Sequence, residues 1–168
     1  MASYSVSDIN GMELTRFVQL FGSVFEETPK VAEQAWHAKP FQDIDDLHHK
    51  MVSVVEEGMT RAEKLKLIRA HPELGEKGKM AAASVQEQAS VGLNKIKKEE
   101  DEQISRLNSV YREKFGFPFV MAVKGQTLSN ILMSLEARLT HSVEEEMARS
   151  LLEIYKIARF RLDDLVAY

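Results

Sequence analysis

Along most of this chain, apolar residues recur three and four positions apart, the spacing of α-helices that each bury one face. Leu14, Phe17, Val18 and Phe21 line up on one side of a segment from Met12 to Phe21. Thr28-Pro29 has the form of an N-cap followed by proline at the first helical position, opening a short helix through Val31, Ala35 and Trp36. Residues 44 to 57 turn Leu47, Met51, Val54 and Val55 inward, and Gly58 ends the run. "TRAE" at 60 to 63 reads as a capping box that opens a helix with Leu65, Leu67 and Ile68. That helix should stop at His71, because the residue before a proline is pushed out of helical angles. Two more boxes, "SVQE" at 84 to 87 and "SVEE" at 142 to 145, open a long pattern from Val85 through Ile104 and Tyr111 to Phe115 and a final helix from Val143 to about Val166. A helix from about Thr127 to Leu139 lies between. The expectation is an all-α, single-domain bundle of about seven to nine helices. "FGFPFVMAV" at 115 to 123, too short and broken for a helix, supplies one short extended segment near 116-123.

Composition narrows the function. With 168 residues and 44% hydrophobic content, one domain can bury about 70% of the surface its unfolded chain exposes. A net charge of -4 lacks the basic excess of a phosphate-backbone binder, so no nucleic-acid partner is expected. The absence of cysteine removes disulfides, thiolate nucleophiles and thiolate metal sites, and fits a reducing compartment. The N-terminus does not read as a secretory signal, and "DDLVAY" at the C-terminus is neither a peroxisomal tripeptide nor a prenylation box. No run approaches the ~20 apolar residues of a membrane span, so the expected location is the cytoplasm. "KKEEDE" at 97 to 102 reads as a solvated helix face.

Candidate chemistry is sparse. His48 and His49 are adjacent, so on a helix they diverge by about 100° and hold no common ion easily; His37 and His141 stand near helix ends, and no metal site is expected. "GEKGK" lacks the spacing of a phosphate loop, and no GxSxG elbow occurs. His71, in "HPELGEKG", terminates a helix on its plain reading; at a helix C-terminus the dipole also favours the imidazolium, which could donate a proton. Ser84 and Glu87 cap a helix on theirs, yet the free amides of a helix start also suit a small anionic or ureido-bearing ligand. Arg161 would be a surface ion pair with Asp163 or Asp164, or a fork gripping a carboxylate or amide oxygen, and Arg159 competes for either role.

Four motifs in order, "HPELGEKG", "SVQEQASVGL", "FGFPFVMAV" and "IARFRLDDLV", closely resemble the 2-oxo-4-hydroxy-4-carboxy-5-ureidoimidazoline (OHCU) decarboxylases, and "FGSVFEETPKVAEQAW" looks like that family's N-terminal pattern. The resemblance implies cofactor-independent decarboxylation of OHCU to (S)-allantoin in urate breakdown, by a homodimer of all-α subunits. It implies His71 and Glu87 as the acid-base pair. Substrate contacts implied are Pro72, then Ser84, Val85, Gln86 and Gln88, the backbone of Phe119, Val120, Met121, Ala122 and Val123, and Arg161. The whole chain, 1-168, would be one such domain, by itself or as the N-terminal half of a fusion with urate oxidase. Two rival readings remain: a non-catalytic helical interaction module, and a ureide hydrolase in which Glu87 activates water.

Overall fold

The computed structural model describes residues 3–74 and 98–167. Among these residues there are eight helices and no strand: α1 (Val6–Asn10), α2 (Leu14–Phe21), α3 (Lys30–Trp36), α4 (Ile44–Gly58), α5 (Arg61–Ala70), α6 (Lys98–Phe115), α7 (Leu128–Arg138) and α8 (Val143–Leu165). The all-α expectation holds. The chain divides into two compact units, Met1–Ala70 with Tyr155–Tyr168, and His71–Ile154, so α8 supplies residues to each.

In the first unit α3 packs on α2 and α4, and the buried side chains are those the helical period selects: Phe17 and Phe21 on α2, Val31 and Ala35 on α3, Leu47, Met51 and Val55 on α4. The "TRAE" box forms as expected, Thr60 Oγ1 accepting from Glu63 N at 3.2 Å and Glu63 Oε1 accepting from Thr60 N at 3.2 Å. One detail differs. α3 begins at Lys30, and Thr28 does not cap it: its hydroxyl donates instead to the Glu26 carbonyl at 2.7 Å, closing the preceding turn. Asn10 grips both backbone groups of Phe41, at 2.7 and 2.9 Å. The two ends of the unit clasp each other, Tyr4 N donating to Leu165 O at 2.9 Å and Ala167 N to Tyr4 O at 2.8 Å.

In the second unit α6 packs on α7. Ser142 caps α8 through the third box, with Glu145 N donating to its hydroxyl and Glu145 Oε1 accepting its N–H, both at 3.1 Å. Thr127 caps α7 through Asn130 N, 3.1 Å. Between α6 and α7 the chain is neither helix nor strand from 116 to 123, and Phe117, Pro118, Phe119 and Val120 are all buried there. The 84–87 box and the first part of the long pattern from Val85 lie outside the described residues.

Candidate active site

α5 ends at Ala70, and the proline at 72 prevents its continuation. His71 follows at once and is only 6% exposed, so it is buried rather than a polar cap in water. The backbone beyond it is fastened to α6. Asn108, buried, donates through Nδ2 to Leu74 O at 3.1 Å, and Arg112 pairs with Glu73 at 2.6 Å. Pro72 is half-buried beside the imidazole in sequence, and Leu74 is buried.

The 117–123 segment belongs to the same unit. Its aromatic residues pack on α6: Tyr111 meets Phe117 and Phe119 edge-on, with ring centres 6.0 and 5.4 Å away. Two charged side chains pin its backbone. Arg138, from α7, donates through Nη1 to Val120 O at 2.7 Å, and Glu153, from α8, accepts from Ala122 N at 3.1 Å. Met121 alone in the run from Phe117 to Val123 is half-buried. The segment then turns through Gly125, whose φ of +80° suits a residue without Cβ, with Gln126 N donating to Val123 O at 2.9 Å.

Arg138 is itself held. Its Nε donates to Glu146 Oε1 at 2.7 Å and its Nη2 to Ser150 Oγ at 3.3 Å, and its guanidinium lies 4.4 Å from the Phe119 ring centre. Glu146 is fully buried and also accepts from the Tyr111 hydroxyl at 2.5 Å and from His141 Nδ1 at 2.9 Å. Burial pushes the Tyr111 phenol well above its ordinary range, and donation to a carboxylate adds to the shift because only the neutral phenol can donate.

Arg161 lies in the other unit. It is 7% exposed and pairs with Glu26, itself 3% exposed, at 2.8 Å, while its Nη1 donates to Ser23 O and Val24 O at 3.2 and 3.3 Å. The expected surface pair with Asp163 or Asp164 is therefore not its environment. Arg159 takes that place, bonded to Asp163 at 3.1 Å and to Asp45, with its side chain 30% exposed. Of the two arginines, Arg161 is the one built into the interior.

Ser84, Val85, Gln86, Glu87 and Gln88 lie outside the described residues. His71 and Pro72 share a unit with Phe119 to Val123; Arg161 does not. Among the described residues no group of three or more His, Asp or Glu side chains could hold a metal ion, and no helix is long and apolar enough to cross a membrane. His48 is half-buried and bonds through Nε2 to Tyr155 O at 2.8 Å. Of the residues that support the site candidates, Glu26 lies inside the "FGSVFEETPKVAEQAW" pattern, whereas Asn108, Arg138, Glu146 and Glu153 fall in none of the quoted motifs. The only trace of those four in the sequence is polar character at positions the helical period turns inward.

The family model for OHCU decarboxylase matches residues 10–163. The chain belongs to the OHCU decarboxylase family. It is 41% identical over 98% of its length to a 2-oxo-4-hydroxy-4-carboxy-5-ureidoimidazoline decarboxylase of Halalkalicoccus jeotgali, 93% of which is covered. It is 32% identical to the Mus musculus protein of that name, over 94% of this chain and 90% of that one. It is also 41% identical to the uric acid degradation bifunctional protein PucL of Bacillus subtilis, over 97% of this chain but 33% of PucL. Among solved structures, a crystal structure of (S)-allantoin synthase superposes with a TM-score of 0.78 at 25% identity, covering 97% of this chain and 54% of that one. The OHCU decarboxylase family fold is thus shared along nearly the whole chain.

Proposed function

We infer that this protein removes the carboxyl group of 2-oxo-4-hydroxy-4-carboxy-5-ureidoimidazoline, releasing CO2 and forming (S)-allantoin in urate breakdown. The observation that carries this is the family match from residue 10 to residue 163, which takes in the HPELG and FGFP motifs and reaches past Arg161. The chemistry suits a protein of ordinary side chains. As the carbon–carboxylate bond breaks, its electron pair moves into the bond to the neighbouring ring carbon, and the adjoining ring imine nitrogen receives the displaced pair and a proton. The hydroxyl on the former carboxylate-bearing carbon then gives up its proton as a carbonyl forms, while the neighbouring carbon is protonated. The substrate is its own electron sink, so the protein's task is to hold the ring and to move protons.

His71 donates the final proton and Glu87 assists the hydroxyl's loss of its own. Burial of His71 supports this role, since a desolvated imidazole transfers its proton to a bound ring rather than to bulk water. Backbone groups of residues 119–123, steadied by Arg138 and Glu153, bond the ureido group; Pro72 and residues 84–88 line the ring, and Arg161 holds polar oxygens. The active form is a cytoplasmic homodimer, either alone or joined to urate oxidase as in the family's fusions.

The test uses OHCU generated from urate in situ, with chiral allantoin followed by circular dichroism. Wild-type protein is expected to accelerate decay and yield one enantiomer, and His71→Asn to lose at least 100-fold in rate while remaining folded. Decay that stays at the spontaneous rate and racemic in the presence of wild-type protein removes the enzyme reading; release of ammonia in place of CO2 would favour the hydrolase.

A further inference from the structure

The geometry points to Glu26 as a positioning residue that presents the Arg161 guanidinium to substrate, the turn from Gly22 to Pro29 being built for that purpose. The inference rests on the substrate-binding role given to Arg161 above.

The turn follows α2. A side chain at Gly22 would place its Cβ 2.5 Å from Val18 O and 3.4 Å from Pro29 Cβ, so the chain can fold back this closely only without one. Val24 N then donates to Phe21 O and Thr28 N to Phe25 O, each at 3.1 Å, and the Thr28 hydroxyl ties back to Glu26 O. Glu27 adopts a φ of +47°, in the left-handed region that favours glycine. Such strain persists where surrounding structure over-determines it, and it concentrates at functional sites. Its effect here is to send the Glu26 side chain inward and leave that of Glu27 exposed.

Three acceptors of this one turn thereby reach one guanidinium: Ser23 O, Val24 O and the Glu26 carboxylate. The two carbonyls come just past the last turn of α2, where the helix dipole adds negative potential. A buried ion pair is a poor means of gaining stability, since apolar residues of similar volume often serve as well or better. It is a good means of fixing a planar fork in one orientation. "FGSVFEETP" is therefore read as a cradle for an arginine 135 or more positions later in the chain.

The experiment compares Glu26→Gln, Arg161→Lys and the double variant by progress curves on OHCU generated in situ. Glu26→Gln keeps the shape and an acceptor but loses the charge that orients the fork. It is expected to raise KM at least tenfold and to change kcat less than threefold, with Arg161→Lys behaving likewise. The double variant should be no worse than Arg161→Lys alone, because the effect of Glu26 on substrate binding runs through Arg161. Glu26→Asp is read the same way if Glu26→Gln does not fold. A purely structural Glu26 would lower the melting temperature, leave KM in place and add its effects to those of Arg161→Lys; that result overturns the inference while sparing the role of Arg161. An unchanged KM in both single variants overturns the role of Arg161 and this inference with it.

Discussion

Replacing Arg138 with methionine tests whether the buried charge network holds the second unit together. The change removes a 2.7 Å ion pair to a fully buried carboxylate, the 2.7 Å bond to Val120 O, the longer bond to Ser150 and the stacking on Phe119. Breaking one half of a buried pair typically costs about 3–5 kcal/mol, most of it from the charge left behind. For a chain of this size about 3 °C is lost per kcal/mol, so a fall of about 9–15 °C in Tm is expected. Glu146→Leu should cost a similar amount by stranding the guanidinium. The double variant removes both charges and should cost about as much as either single change, giving a coupling of at least ~3 kcal/mol. Urea unfolding followed by far-UV circular dichroism measures each corner of the cycle, and agreement with the fluorescence of Trp36, the sole tryptophan, checks that one transition is being read. Single-variant costs below about 1 kcal/mol, or additivity within about 0.5 kcal/mol, would refute the argument.

Burial first, then donation to Glu146 and Glu56 respectively, raises the phenols of Tyr111 and Tyr155 above their ordinary range. A folded-state value above the unfolded one of about 10 gives stability that is complete below that pH and is lost as pH rises beyond it. Tm should therefore fall above about pH 10, more gently in the Tyr111→Phe/Tyr155→Phe variant, with absorbance at 295 nm showing both phenols still neutral where the denatured chain has ionised. Ser142→Ala removes the cap of α8 and should cost about 1 kcal/mol, or about 3 °C in a thermal melt. Arg159→Ala loses only partly exposed pairs to Asp45 and Asp163, so steady-state assays should show KM unchanged and stability down by less than about 1 kcal/mol.

What could be read from the sequence was whatever depends on neighbours a few positions apart. The apolar period placed α2, α4, α5, α7 and α8, the boxes at Thr60 and Ser142 formed as capping chemistry requires, and α5 ended at Ala70, one residue before the expected stop at His71. Thr28 was misleading because its hydroxyl donates to Glu26 O and closes the preceding turn, and its oxygen does not accept from an N–H at the start of α3. Arg161 and Arg159 look alike on paper, two positions apart on one helix; the turn that carries Ser23, Val24 and Glu26, 135 or more positions earlier, separates the buried one from the partly exposed one. The same holds for the segment at 117–123. Its aromatic residues announced a buried stretch, whereas the grip of Arg138 and Glu153 on Val120 and Ala122 arises from chain crossings that no local spacing encodes.

The pairing of Tyr4 with Leu165 and Ala167 brings residues from opposite extremities of the polypeptide within bonding distance. A short Gly/Ser bridge could join them, and new termini could be opened in an exposed turn such as that around Lys124 and Gly125, giving a permuted protein that keeps every helix. Any domain attached at either extremity would leave from the same spot on the unit.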